Sequence, residues 1–212
     1  MNGVFRFALL AVIFGVMTVP AVAGNFSFTG NFTQDNDVLL VNFNILAGTT
    51  VTFQTFGYGG GTNANGANII PGGFEPILQV FTSPSGLAVG GPILPGPDPT
   101  CGPRNPDPSR LNFCQDAYAQ VFLIAGDYVL ALTQNANTPN GNLGDGFFYD
   151  ADSNFNNGFV GTFGFQGTSQ WALDIVGADS ASAPLAIPEP GSALLAATAL
   201  FLVGLGVRKR VR

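Results

Sequence analysis

An alternation of apolar and polar residues is the feature that most limits what the middle of this chain can fold into. From residue 39 to residue 45 every second side chain is apolar and would lie on one face of a strand: Leu39, Val41, Phe43 and Ile45. Successive side chains of a strand point to opposite faces. This segment therefore predicts a strand with one face against a core.

Other segments carry the same signal. Val51 and Phe53 would face inward from a second strand. A last strand alternates Trp171, Leu173 and Ile175, and it is expected to pair near the first strand, residues 26–30, to close the domain.

Residues 117–134 predict a hairpin that turns around residues 125–127. Its inward-facing side chains would be Val121, Leu123, Tyr128, Leu130 and Leu132. The chain contains 29 glycines and 20 phenylalanines, and only 9% of its residues are charged, which favours short strands joined by turns over long helices. The predicted fold class is all-β, a two-sheet antiparallel β-sandwich over residues 24–179.

Two long loops interrupt the predicted strands. The first, residues 90–116, is an insertion rich in proline that contains Cys101. The second, residues 135–158, is rich in Asn and Gly. Both are expected to be mobile surface excursions.

The first 23 residues predict a secretory signal peptide. Arg6 precedes an apolar run that ends before Pro20, and the small residues Ala21 and Ala23 suit a signal peptidase that would cut before Gly24. The alternative is a retained membrane helix, for which the run is short.

The last 25 residues predict a membrane anchor. Pro188, Glu189 and Pro190 end a linker over residues 180–190, and residues 191–207 carry no charge. As a helix the uncharged run rises about 26 Å, which is at the short limit for crossing a bilayer core. The basic tail, residues 208–212, would remain cytoplasmic, so the domain would face outward across the inner membrane.

The order of Pro188-Glu189-Pro190, apolar helix and basic cluster resembles the PEP-CTERM sorting signal of Gram-negative bacteria that make exopolysaccharide. The resemblance implies that an exosortase recognises the motif, removes the helix and passes the protein to the cell surface or matrix. The alternative is a plain C-terminal anchor whose prolines begin the helix.

The order of the segments DNDVLLVNFNILAGTTV, GGFEPILQVFTSPSG, FLIAGDYVLALTQNAN and NLGDGFFYDADSNF resembles a family of PEP-CTERM proteins of unassigned activity. These look like bacterial pre-peptidase C-terminal domains, which are small jelly-roll sandwiches that accompany secreted enzymes. The similarity covers about residues 25–177. The family more often has GGFDP followed by an acidic turn, whereas here Glu75 replaces the Asp and an insertion occupies the turn, which weakens a cation site there.

The charge of the predicted domain excludes one class of partner. Between residues 24 and 187 the chain has two basic and twelve acidic residues, a net charge of 2 − 12 = −10. Phosphates would repel such a domain, so no nucleic-acid partner is expected. The acidity serves solubility or, alternatively, cation binding.

Cys101 and Cys114 are the only cysteines, and in an exported protein they predict a disulfide that closes the insertion. The segment from Asp150 to Asn154 has the spaced oxygens of a calcium loop, but Phe155 and Gly161 exclude an EF-hand. A looser calcium site remains open, with these candidates: Asp145, Asp150 and Asp152, or Asp35 and Asp37. The alternative is that these carboxylates are solvated or cap turns.

No enzyme is predicted. The chain has no histidine, and its one lysine, Lys209, lies in the tail. One group of aromatic residues could stack on a polysaccharide or serve as packing: Phe147, Phe148, Tyr149, Phe155 and Trp171. The predicted function is a structural or adhesive protein of the cell surface or extracellular matrix, with a carbohydrate-binding module and a secreted hydrolase as alternatives.

Overall fold

The computed structural model describes residues 24–96, 114–162 and 164–183, which form an all-β sandwich of two antiparallel four-stranded sheets. The strands of the first sheet, in spatial order, are β1 (Gly24–Asn31), β9 (Gln170–Ala178), β3 (Thr49–Thr55) and β7 (Tyr118–Leu123). Those of the second are β10 (Ser180–Ser182), β2 (Leu39–Ile45), β8 (Gly126–Gln134) and β6 (Pro76–Ser83). A short ribbon pairs β4 (Gly61–Thr62) with β5 (Asn68–Ile69), and the single 3-10 turn of the described residues is Leu143–Asp145.

The core lies between the two sheets, where the alternation of the sequence places it. Val51 and Phe53 of β3 are fully buried, as are Leu173 and Ile175 of β9. The second sheet contributes the facing side chains: Val41, Phe43, Leu78, Val80, Leu130 and Leu132. The predicted inward faces are therefore confirmed, and so is the predicted pairing of the first strand with the strand of Trp171, Leu173 and Ile175, in which Phe28 lies opposite Leu173.

The predicted hairpin over residues 117–134 is wrong. β7 pairs with β3 in the first sheet, and β8 lies between β2 and β6 in the second. The turn around Gly126 therefore carries the chain from one sheet to the other. Apart from the small ribbon, each consecutive pair of strands is divided between the sheets in this way. Alternation shows that both strands have a buried face, but it does not show which neighbour each one pairs with.

Both sheets also have part of their outer face covered. Phe56 and Ile69 pack on Ala172 of the first sheet. On the second sheet, Phe147 packs with Phe81 and Val129. Leu143, partly buried, packs against the same cluster, so residues 143–147 of the segment predicted as a mobile excursion form a covering layer over the second sheet.

The segment after β6 protects the free edge of the second sheet. Ile93 and Leu78 exchange two backbone hydrogen bonds of 3.0 and 2.7 Å, and Ala88 lies opposite Phe81. Only residues 90–96 and 114–116 of the predicted insertion are described. An edge covered by chain is closed to pairing with another molecule.

Strand β10 moves the end of the domain beyond the predicted boundary at residue 179. Ser180–Ser182 pairs with Asn44, Phe43 and Asn42 of β2, so the sandwich includes residues assigned above to the linker. In the described part of the chain no helix is both long and apolar enough to cross a membrane. The predicted signal helix and anchor lie outside the described residues.

Candidate functional site

The predicted processing sites lie at or beyond the limits of the described chain. Gly24, the residue expected to follow signal cleavage, is the first residue of β1 and lies opposite Ala178. Ala21 and Ala23 on one side, and the Pro188-Glu189-Pro190 motif on the other, are outside the described residues.

Cys114 is disulfide-bonded, and its predicted partner Cys101 lies outside the described residues. Two residues later, the buried carboxylate of Asp116 has a hydrogen-bond donor for each oxygen. Oδ1 accepts from the Thr55 hydroxyl at 2.9 Å and the Tyr58 N–H at 3.1 Å, and Oδ2 accepts from the Gly59 N–H at 2.6 Å. This carboxylate connects the end of the insertion to β3.

Four of the predicted calcium ligands are engaged with their own turns. Asp37 accepts from the N–H groups of Thr33 and Gln34 at 2.6 and 2.9 Å. The other three each accept one bond from a residue two or three positions away, Asp145 from Asn142 N–H, Asp150 from Phe147 N–H and Asp152 from Asn154 N–H. These are the hydrogen bonds of turn-capping carboxylates.

The fifth candidate, Asp35, is placed differently. Its side chain is 1% exposed, and its Oδ2 accepts from the N–H groups of Asn156 and Gly158 at 2.9 and 3.3 Å. The next residue, Asn36, donates to the carbonyl oxygens of Tyr149 and Asp150. The fold thus brings the two acidic segments of the sequence together, with Asp35 buried between them.

Glu75 and Gln134 lie at the same end of the sandwich and were not among the predicted site residues. Glu75 is 1% exposed, and its Oε2 accepts from Thr162 N–H, the Thr162 hydroxyl and the Asn135 side chain. Gln134 is fully buried at the end of β8, opposite Pro76. The available signal was an acidic side chain, Glu75, at the start of the apolar run that becomes β6.

Among the described residues no group of three or more His, Cys, Asp or Glu side chains could hold a metal ion. Asp174 of β9 is a further buried carboxylate. It accepts a hydrogen bond from the Ala64 N–H at 2.6 Å. Burial raises the pKa of Asp174 above its ordinary value of 3.8, although hydrogen bonds from Ser27 and Ala64 act in the opposite direction.

The five aromatic candidates divide into two groups. Phe147 is buried where the covering layer packs on the second sheet, and Trp171 packs against the core with its ring 6.1 Å from that of Phe32. Tyr149 stacks on Phe155 with centroids 4.1 Å apart and planes 6° apart. Phe148 stands edge-on to Tyr149 and is 65% exposed. A sugar ring could therefore reach Phe148, but the five aromatic rings do not form one flat platform.

No family model matches the chain, and no curated protein matches it. The resemblances described above therefore rest on the sequence motifs alone.

Proposed function

We propose that this chain is an exported protein that an exosortase sorts to the cell surface or extracellular matrix, where its sandwich has a structural or adhesive role. The observation that carries the proposal is the order of Pro188-Glu189-Pro190, an uncharged run over residues 191–207 and a basic tail. An uncharged run of this length suits a short membrane anchor, and the basic tail would hold its end in the cytoplasm.

The position of the folded unit supports processing at both ends. A cut before Gly24 would leave every residue of β1 in place, and the last strand of the described chain, Ser180–Ser182, ends before the motif. The disulfide at Cys114 agrees with folding in an oxidising compartment. The alternation of consecutive strands between the two sheets agrees with a jelly-roll type of sandwich.

A non-catalytic role is part of the proposal. The chain has no histidine to activate a nucleophile. Buried Asp116 is fully engaged in hydrogen bonds to β3 and the segment that follows it, which is a structural use of a carboxylate. Signal peptidase, an exosortase and the inner membrane would be the partners during export.

The test is the intact mass of the chain in a Gram-negative host with an exosortase and in the same host without it. The expected mature protein begins at Gly24, lacks the residues after the motif and is released from the inner membrane only when exosortase is present. Pro188→Ala should block this release. Pro184→Ala, at a nearby proline outside the motif, is the matched control and should leave it unchanged.

Recovery of an intact chain from Met1 to Arg212 in the cytosol, with free thiols, would refute the proposal. Retention of the uncut chain in the inner membrane of both hosts would reduce the C-terminal segment to a plain anchor. The two results separate export from sorting.

Carbohydrate binding is the second candidate, and exposed Phe148 is the observation that favours it. An aromatic face that water can reach is able to stack on a sugar ring. Phe148→Ala should abolish retention on the exopolysaccharide of the producing bacterium and on a glycan array. Phe122→Ala is the matched control, because Phe122 is 67% exposed and lies on β7 of the first sheet, whereas Phe148 lies in a loop outside both sheets. Equal retention of both variants would reject this role.

A further inference from the structure

Two buried carboxylates at the same end of the sandwich each have one oxygen to which no described residue donates a hydrogen bond. Asp35 uses Oδ2 for two backbone N–H groups, and its buried Oδ1 has no partner among the described residues. Glu75 uses Oε2 for three donors, and no described residue donates to its buried Oε1. Asp116, in contrast, has donors for both oxygens.

A third orphaned oxygen belongs to Gln134. Its Nε2 donates to the carbonyl oxygen of Val160 at 3.4 Å, and its buried Oε1 has no donor in the described chain. All three atoms are acceptors. An unpaired buried carboxylate is costly, because burial removes its hydration without replacing it.

One segment, residues 156–162, contacts all three side chains. Its N–H groups at Asn156 and Thr162 hold the satisfied oxygens of Asp35 and Glu75, and Val160 receives the Gln134 amide. A Cβ atom on Gly161 would lie 2.5 Å from the orphaned Oε1 of Glu75, so this oxygen lies directly against the segment. Asn156 also connects this segment to the end of β8 through Asn135, whose side chain donates to Glu75.

No basic side chain of the described chain can neutralise these carboxylates. Arg104 and Arg110, the two arginines between the predicted targeting segments, lie in the part of the insertion that the structure does not describe. Carboxylate and amide oxygens are hard ligands, the type that calcium prefers, whereas softer metals favour nitrogen and sulfur ligands.

We propose that Asp35 Oδ1, Glu75 Oε1 and Gln134 Oε1 bind one Ca²⁺ ion under residues 156–162. Calcium accepts irregular sets of carboxylate, amide and backbone carbonyl oxygens, whereas magnesium requires near-octahedral geometry and keeps several waters. Backbone carbonyls and water would complete the coordination. The ion joins the β1–β2 loop, the start of β6 and the end of β8, and so closes one end of the sandwich.

The test uses the full chain in mild detergent, stripped with a chelator and titrated with CaCl₂ or MgCl₂. Calorimetry and metal analysis should give one calcium per chain. At free calcium 100-fold above the dissociation constant, the unfolding temperature should rise by roughly 5–10 °C. Magnesium should bind at least on the order of tenfold more weakly than calcium.

Variants locate the ion. Asp35→Asn and Glu75→Gln keep shape and remove charge, and each should weaken calcium binding by roughly tenfold or more. Asp152→Asn, at an exposed acid of the same loop, is the matched control and should bind as the wild type does. Amide hydrogen exchange of the wild type does not depend on whether a variant folds. Calcium should slow exchange most strongly in residues 156–162.

Any of four results would overturn the site. These are no calcium-dependent shift in the wild type, two ions per chain, unchanged binding in Asp35→Asn or Glu75→Gln, or protection confined to another segment. Loss of binding in Asp152→Asn would instead place the ion among the turn-capping acids. None of these results bears on export, which the mass measurements above decide separately.

Discussion

Gly73 is a position at which one added methyl group should disrupt the sandwich. A Cβ atom there would lie 2.3 Å from the carbonyl oxygen of Gln170 and 2.7 Å from that of Gly57. Both oxygens belong to the backbone, and the Gly57 carbonyl already accepts a hydrogen bond from the Gly73 N–H at 2.7 Å. Neither oxygen can rotate away as a side chain could. Gly73→Ala must therefore push the segment before β6 away from the start of β9.

The expected cost follows from this geometry. Overpacking against fixed backbone costs about 3 kcal/mol, the upper end of its usual range. Alanine also restricts the unfolded chain, which stabilises the folded state by roughly 0.5 kcal/mol. The net loss of about 2.5 kcal/mol corresponds to a fall of roughly 5–10 °C in unfolding temperature.

Gly91→Ala is the matched control, because a Cβ atom on Gly91 would meet no atom within 4 Å. Only the effect on the unfolded chain remains there, so this variant should be neutral or slightly stabilised. Thermal unfolding of the full chain in mild detergent can be followed through the fluorescence of Trp171, its single tryptophan. Equal unfolding temperatures for the two variants would refute the reasoning.

Three further substitutions test the core and the buried carboxylates. Asp116→Ala should lower the free energy of unfolding by about 3 kcal/mol, because the Thr55 hydroxyl and two backbone N–H groups lose a buried acceptor. Asp152→Ala, at an exposed position, should change it by less than about 0.5 kcal/mol in the same denaturant titration. Leu130→Ala should cost about 2–5 kcal/mol by leaving a cavity between the sheets, and a loss below about 1 kcal/mol would contradict this. Asp174→Asn should alter the pH dependence of stability, because burial raises the pKa of Asp174 in the folded state above 3.8. The wild type should therefore lose stability relative to the variant as the pH rises from about 3.8 through that raised pKa. A difference in unfolding temperature that stays constant with pH would exclude the effect.

Part of the candidate cation site could be predicted from the sequence. Asp35 was a candidate because it belongs to an acidic, oxygen-rich segment. The other four candidate acids lie in segments of similar composition, and only the structure shows that they cap their own turns. Glu75, in place of the family's Asp, was expected to weaken a cation site, and Gln134 gave no signal, because an amide side chain beside an apolar strand is normally directed to water. Their burial depends on residues 156–162, which reach them from far along the chain.

The amino-acid sequence by itself indicated the strands with alternating side chains, such as β2, β3 and β9, and which of their faces are buried. This information is local, since a period of two between apolar side chains is sufficient to define both. Only the tertiary structure decided that β7 and β8 belong to different sheets, and that Asp35, Glu75 and Gln134 lie under one segment. Strand partners and the covering of polar side chains depend on contacts between distant residues, and no short stretch of sequence contains both sides of such a contact.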